Sequence, residues 1–428
     1  MKMKLEKLSR YALLGLVGLC LTFAAKEATA AAGSLDTTFG KGGVTVTTLT
    51  TASDTNGVLP FSVQLQSDGK ILVLVEVLSG SSTNSEVLRY TTSGTLDSTF
   101  GSKGIAVLPV TLGQGSLAVQ SNGQIVIAGT IGSEVVAERL NMNGTVDNSF
   151  GSGGVSSASL SGGGPGDDLV ILIETNGDIL VGGQLFPAGR GDPTQTFLTR
   201  FTSGGALDTT FGSKGVTIAT ANQGCTALAE LSTGGILVVN GENISQFTAS
   251  GNPLSGVTGG SIVATAGSGF PSAASVFQQN SNFLFADAVF VGEPSRAHNA
   301  SSQVLSFASN NAASSTFASP DFHFSGSGGF GIEAMPNAMA VQPNGNIVVV
   351  GLQSTTSRTG TTIVNGLARL TANGDLDSTF GVNGTITNSV PAGTQGLFEV
   401  AIQTDGKIIA IGLANDFTAL TISRYLGQ

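Results

Sequence analysis

The hexapeptide Leu96-Asp97-Ser98-Thr99-Phe100-Gly101 constrains this chain more than any other feature, because it recurs almost end to end. Copies stand at Leu35-Asp36-Thr37-Thr38-Phe39-Gly40, Val146-Asp147-Asn148-Ser149-Phe150-Gly151, Leu207-Asp208-Thr209-Thr210-Phe211-Gly212 and Leu376-Asp377-Ser378-Thr379-Phe380-Gly381. A marker repeated at such intervals signals stacked supersecondary units rather than one irregular core.

A second element lies between the markers: an apolar stretch, a tight turn and a run of branched residues, as in Val63-Gln64-Leu65-Gln66-Ser67-Asp68-Gly69-Lys70-Ile71-Leu72-Val73. Turns of this kind stand at Asp68-Gly69, Asn122-Gly123, Asn176-Gly177, Asn344-Gly345 and Asp405-Gly406, with degenerate ones at Gly234-Gly235 and Asn280-Ser281-Asn282. Seven hairpins are therefore expected, each with both central turn residues at positive φ. The run after each turn is apolar without alternation, which predicts a strand buried on both faces. A third strand carries Arg89, Arg139, Arg200, Arg369 or Arg424, and a fourth, such as Gly104-Ile105-Ala106-Val107, leaves the marker. Four strands per unit without helical segments predict an all-β, seven-bladed β-propeller over residues 31–428, with an open solenoid as the alternative. The pattern is degenerate in blades 4 and 5, about 220–331, where Gln246 and Leu254 replace the recurring Arg and Asp and Ser306 replaces another Arg.

The Leu-Asp-x-x-Phe-Gly marker and the Gln-x-Asp/Asn-Gly-Lys-Ile hairpin together resemble the delta-60 repeats of bacterial exported proteins. That resemblance spans about residues 34–428 and implies a β-propeller. It implies no particular reaction and no catalytic residues.

The chain ends carry complementary fragments. The last unit stops after Thr421-Ile422-Ser423-Arg424-Tyr425, while a marker and the strand Val44-Thr45-Val46-Thr47-Thr48 precede the first hairpin. The N-terminal strand is therefore expected to complete the last blade, with Arg424 facing Asp36 as Arg89 faces Asp97. Residues 1–30 read differently, with Lys2, Lys4, Lys7 and Arg10 before the apolar run Tyr11 to Ala25 and a small-residue site at Ala28-Thr29-Ala30. This is the form of a secretory signal peptide, and it predicts export to the periplasm, cell envelope or medium. The apolar run is short for a membrane anchor, and Leu19 before Cys20 departs from the small residue of lipoprotein signals.

Cleavage after Ala30 removes five basic and two acidic residues and takes the net charge from −10 to −13. An acidic surface without a basic stripe repels phosphate backbones, so nucleic acid is excluded as a partner. Cys225 would be the sole remaining cysteine, which allows no intrachain disulfide and suits a small buried hydrophobe.

The Arg and Asp eight residues apart pair Arg89 with Asp97, Arg139 with Asp147, Arg200 with Asp208, Arg369 with Asp377 and Arg424 with Asp36. Recurrence in nearly every unit assigns them to structure, as ion pairs across antiparallel strands whose removal is mild if they are exposed. His298 and His323 lack the spacing of a metal site, and no cofactor or metal is expected. They offer an acid–base set with Glu293 or Asp321 if the chain is a propeller hydrolase or lyase. Gly189-Arg190-Gly191-Asp192-Pro193 contains the tripeptide that integrin-binding proteins display, and ten phenylalanines between Phe270 and Phe330 fill a blade or form an apolar patch. The reading adopted is a non-catalytic, monomeric exported scaffold that binds a protein or polysaccharide. Its ligand face is expected opposite the Asp-Gly turns, bearing Arg190, Asp192, His298 and the Ser161-to-Asp168 loop. A propeller enzyme and a purely structural surface module are the alternatives.

Overall fold

The computed structural model describes residues 30–49, 57–189, 193–219, 224–240, 243–254, 260–261, 277–279, 282–291, 299–308, 323, 332–357, 360–387, 395–414 and 417–428. The chain divides into Met1–Ala31 and Ala32–Gln428, and all the described strands fall in the second unit. No helix among the described residues is long and apolar enough to cross a membrane. Residues 1–29 of the segment 1–30 read as a signal peptide lie outside the described residues.

The fold is an all-β propeller. β1 (Val44–Thr48) comes first in the chain. β2 (Gly57–Leu65), β3 (Ile71–Ser79), β4 (Ser82–Tyr90) and β5 (Ile105–Val107) form one antiparallel sheet. β6 (Ser116–Val119), β7 (Ile125–Ile131), β8 (Glu134–Leu140) and β9 (Val155–Ser159) form the next. β10 (Gly163–Ile173), β11 (Ile179–Pro187), β12 (Gln195–Phe201) and β13 (Val216–Ala219) follow, then β14 (Ala227–Glu230), β15 (Ile236–Asn240), β16 (Asn243–Phe247) and β17 (Gly260–Ser261).

The expectation of seven separate blades is corrected at this point. β18 (Phe277–Gln279), β19 (Asn282–Val291) and β20 (Asn299–Ala308) belong to one seven-stranded sheet with β21 (Ile332–Val341), β22 (Ile347–Ser357), β23 (Gly360–Leu370) and β24 (Thr385–Ile386). A single parallel bridge, Ala300 to Glu333, joins the two runs, so the hairpin counted at 280–282 makes no sheet of its own. The described strands thus form six sheets, five of four strands and one of seven.

The sixth sheet orders β1 beside β27 (Ala419–Tyr425), then β26 (Ile408–Ala414) and β25 (Gln395–Ile402). β1 runs antiparallel to β27 with Val44 opposite Ser423 and Thr48 opposite Ala419. Its apolar face meets the first sheet, where Ile409, Ile411, Leu420 and Ile422 pack with Val63, Val73, Val75 and Leu88.

In the first, second, third and sixth sheets the second strand is sandwiched between neighbouring sheets, which explains its unbroken apolar sequence. Ile71, Leu72, Val73, Leu74 and Val75 are all buried, with odd residues in one interface and even residues in the other. Burying one such side chain stabilises by roughly 1.5–3 kcal/mol. The turn before it is longer than a two-residue hairpin. Five residues, Gln66 to Lys70, separate β2 from β3, with Gly69 N–H donating to Gln66 O at 2.9 Å and only Gly69 left-handed, at φ 80°. Asp68 keeps negative φ; its carboxylate accepts from Lys70 N–H at 3.1 Å instead. At the opposite end, β3 and β4 extend to a two-residue turn at Gly80 and Ser81, so the span Glu76 to Ser85 is mostly strand.

Candidate functional site

The marker is a latch between successive sheets. Its Asp accepts, through Oδ1, from the N–H and hydroxyl of the Thr or Ser two residues on: Thr38, Thr99, Ser149, Thr210 and Thr379. Its other oxygen faces the arginine, at 2.9 Å for Arg89–Asp97 and 2.7 Å for Arg139–Asp147. The separation is 2.7 Å for Arg200–Asp208, 2.8 Å for Arg369–Asp377 and 2.9 Å for Arg424–Asp36. Each guanidinium also lies over the marker phenylalanine, 4.5–4.7 Å from the ring centre. A third contact leaves the sheet: Nη1 donates to the backbone carbonyl of Met142 from Arg89, of Ser203 from Arg139, of Ala249 from Arg200, of Gly427 from Arg369 and of Thr92 from Arg424.

Side chains just after the turn glycine complete the latch. Lys70 reaches Asp97 at 3.2 Å, and Lys407 reaches Asp36 at 3.5 Å. Gln124 and Asn346 donate to Asp147 and Asp377 in the corresponding places. In the Arg139 and Arg369 pairs Nε–H points along a hydrogen bond to the carboxylate. In the Arg89 and Arg424 pairs, where lysine shares the oxygen, the contact is a close charge pair without that alignment.

Four of the five pairs are buried and Arg200–Asp208 is partly so, and the mild cost expected for exposed pairs does not apply to the buried four. Arg89, Asp97, Arg139, Asp147, Arg424 and Asp36 are each 5–6% exposed. Burial alone would raise the five carboxyls. The hydrogen bonds from Thr or Ser and the arginine charges outweigh it and hold Asp36, Asp97, Asp147, Asp208 and Asp377 below the usual carboxylate range.

The degenerate fourth unit keeps the backbone of the motif without its charges. Leu254 N–H still donates to Gln246 O at 2.9 Å, as Asp97 N–H does to Arg89 O at 2.8 Å. It also still receives its neighbour, since Phe211 packs beneath Gly251.

The inner strands β2, β6, β10, β14, β21 and β25 surround an axial channel of about 430 Å³. Strand register sets one ring of equivalent residues at this level, all but Ala338 lining the channel, each opposite the fourth residue of the second strand. These are Ser62, Ser116, Val170, Ala227, Ala338 and Glu399, opposite Leu74, Ala128, Gly182, Val239, Val350 and Ile411. Glu399 is the one charged side chain among the described lining residues. A register shift between Leu397 and Glu399 precedes it, and its partial exposure is to the channel. Desolvation there pushes its carboxyl up to about 8. The sequence reading missed Glu399, although alignment of the hairpins shows glutamate where the other units carry Ser, Val or Ala.

Arg190, Asp192 and His298 lie outside the described residues, as do Glu293 and Asp321. His323 is half-buried, its Nδ1 without a hydrogen-bond partner. Among the described residues no cluster of His, Cys, Asp and Glu could hold a metal ion. Cys225 is buried in the core beside Leu180, Leu198 and Leu228, and burial pushes its thiol pKa up, as befits a packing residue.

Comparison with known proteins agrees with the architecture. A family model described as "Domain of unknown function (DUF5122) beta-propeller" matches residues 66–100, 120–150 and 342–380, which supports a propeller repeat family. Those spans run through three of the turns and end at or beside the marker phenylalanine. No curated protein matches the chain. Among solved structures, a protein of unknown function from Bacteroides caccae is similar at 16% identity and TM-score 0.29, covering 49% of this chain and 69% of that one. A mannose phosphorylase from Leishmania mexicana, in complex with phosphate ion, is similar at 10% identity and TM-score 0.32, covering 89% and 86%. A prolyl endopeptidase structure aligns at 10% identity and TM-score 0.42 over 87% of this chain and 50% of that one. Likenesses this distant carry no argument about activity.

Proposed function

We infer that the protein is an exported scaffold of the delta-60 repeat type that binds a protein or polysaccharide partner at the sheet ends opposite the Asp-Gly turns. The carrying observation is the contrast between the two ends. At the turn end every connection between first and second strands that is described throughout has five residues, as from Leu65 to Ile71, Val119 to Ile125, Ile173 to Ile179 and Ile402 to Ile408. The latches occupy that end.

At the other end the connections between second and third strands differ from sheet to sheet. Two residues separate Ile131 from Glu134, whereas seven separate Pro187 from Gln195. Phe186 and Phe417 are about half exposed there. Rigid sheets with diverse connections at one end are a common platform for recognition.

The test is a binding assay of the full chain against purified envelope polysaccharides and an array of envelope proteins. Phe186→Ser and Phe417→Ser should weaken the partner found, while Lys70→Ser and Gln124→Ser at the turn end should not. The reverse pattern sinks the reading, as does an unprocessed N-terminus in the native producer.

A further inference from the structure

We propose that the axial channel is a second binding site, one that takes a small organic monocation, a primary amine, with Glu399 as its anionic anchor. The site is distinct from the sheet-end surface and does not depend on it.

The first argument is that the fold has no structural need for this charge. The other five described members of the same ring are Ser62, Ser116, Val170, Ala227 and Ala338, and the ring is built with them. All the latch carboxylates have an arginine partner, whereas Glu399 has no ion pair or hydrogen bond to a described residue. An unpartnered carboxyl in a desolvated place is costly as an anion and stays largely neutral until a cation arrives.

The second argument is the chemistry of the cavity. A space of about 430 Å³ is within the range of small-molecule pockets. The surface its walls present is mainly polar, from the backbone of the inner strands and side chains such as Gln64 and Ser116, with Leu117 and Met339 buried behind it in the sheet cores. β2, β6, β10, β14 and β25 are edge strands, so their outer backbone groups lack ladder partners. Carbonyls on such edges accept hydrogen bonds, which an ammonium group donates in three directions. One carboxylate neutralises one positive charge, and the described residues supply no cluster of ligands for a divalent ion. A small organic monocation is the complement.

Benzylamine is a suitable probe, with benzyl alcohol and benzoate as matched neutral and anionic controls. Calorimetric titration of the full chain at pH 7 should give saturable binding of benzylammonium, at least about tenfold weaker in Glu399→Gln. Benzyl alcohol should not distinguish the two proteins. Binding should also release a proton from Glu399, seen as an enthalpy that changes between buffers of different ionisation heat. Glu399 is the one titratable group among the described channel residues, so the wild-type experiment stands even if the variant fails to fold. Absence of benzylammonium binding, equal binding to the folded variant, equal affinity for benzoate, or binding without proton release would each overturn the proposal.

Discussion

The guanidinium of Arg424 in β27 lies 2.9 Å from the carboxylate of Asp36, which precedes β1, and both side chains are buried. The pair repeats, between residues from opposite parts of the sequence, the geometry that Arg89 and Asp97 make eight positions apart. Removing one partner from a buried pair leaves the other charge stranded. Asp36→Ala and Arg424→Met should each lower unfolding free energy by roughly 3–5 kcal/mol, as should Asp97→Ala. Lys70→Met, at a site about one-third exposed, should cost less than about 1 kcal/mol. Urea denaturation of the four variants checks the ranking.

Stability should fall at both ends of the pH scale, for opposite reasons. The five latch carboxyls have folded pKa values below their unfolded one of about 3.9, so their contribution is complete above that pH. It is lost as pH falls through the folded values. Glu138 behaves oppositely, because burial pushes its carboxyl up to about 8. Its contribution is complete below about pH 4.3 and is lost as pH rises towards 8. One of its oxygens accepts from Val110 N–H at 3.2 Å and the other has no partner. Urea midpoints measured from pH 2.5 to 9 should show an acid limb in every protein and a flatter alkaline side in Glu138→Gln.

Two glycine substitutions separate backbone strain from steric conflict. Gly94 and Gly42 are both left-handed, at φ 86° and 65°. A Cβ on Gly94 would stand 2.7 Å from the Phe39 ring, whereas nothing lies within 4 Å of one on Gly42. Gly42→Ala should therefore cost about 1 kcal/mol, from the left-handed backbone alone. Gly94→Ala should cost at least about 1–3 kcal/mol more, because Phe39 must shift in a packed interface. Thermal unfolding of both variants decides it. Lys103 and Lys214, left-handed at φ 55° and 58° where other copies have Gly42 and Gly153, show that the open position tolerates a side chain.

Much of this architecture was legible because its grammar is local. The turn glycines and the Arg and Asp eight residues apart report contacts within one sheet, and the uninterrupted branched runs report burial on both faces without naming what covers them. Where the contact lies in another sheet, sequence spacing is silent. Nothing in the order of residues says that Arg139 reaches the Ser203 carbonyl, that the pairs are buried, or that Glu399 enters a ring with Ser62 and Ser116. The sheet count failed for the same reason. A hairpin signal at 280–282 announces two strands, but the bridge from Ala300 to Glu333 decides which sheet they join.

The Cys225 thiol should resist alkylation until the protein unfolds. It is 3% exposed, and burial raises its pKa, so little reactive thiolate forms at neutral pH. Iodoacetamide labelling of the Cys225 peptide, followed by mass spectrometry across a urea series, should track global unfolding. Rapid labelling in buffer alone would contradict it.

Each latch arginine hands its outgoing hydrogen bond to a main-chain oxygen, and the residues that own those oxygens are Met142, Ser203, Ala249, Gly427 and Thr92. Every peptide unit offers the same acceptor whatever its side chain. Mutational drift in these turns therefore leaves the coupling between neighbours intact so long as the turn glycine persists. A duplicated unit arrives with both a plug and a socket already fitted, so the lineage can lengthen or degrade individual units without having to evolve a new seam.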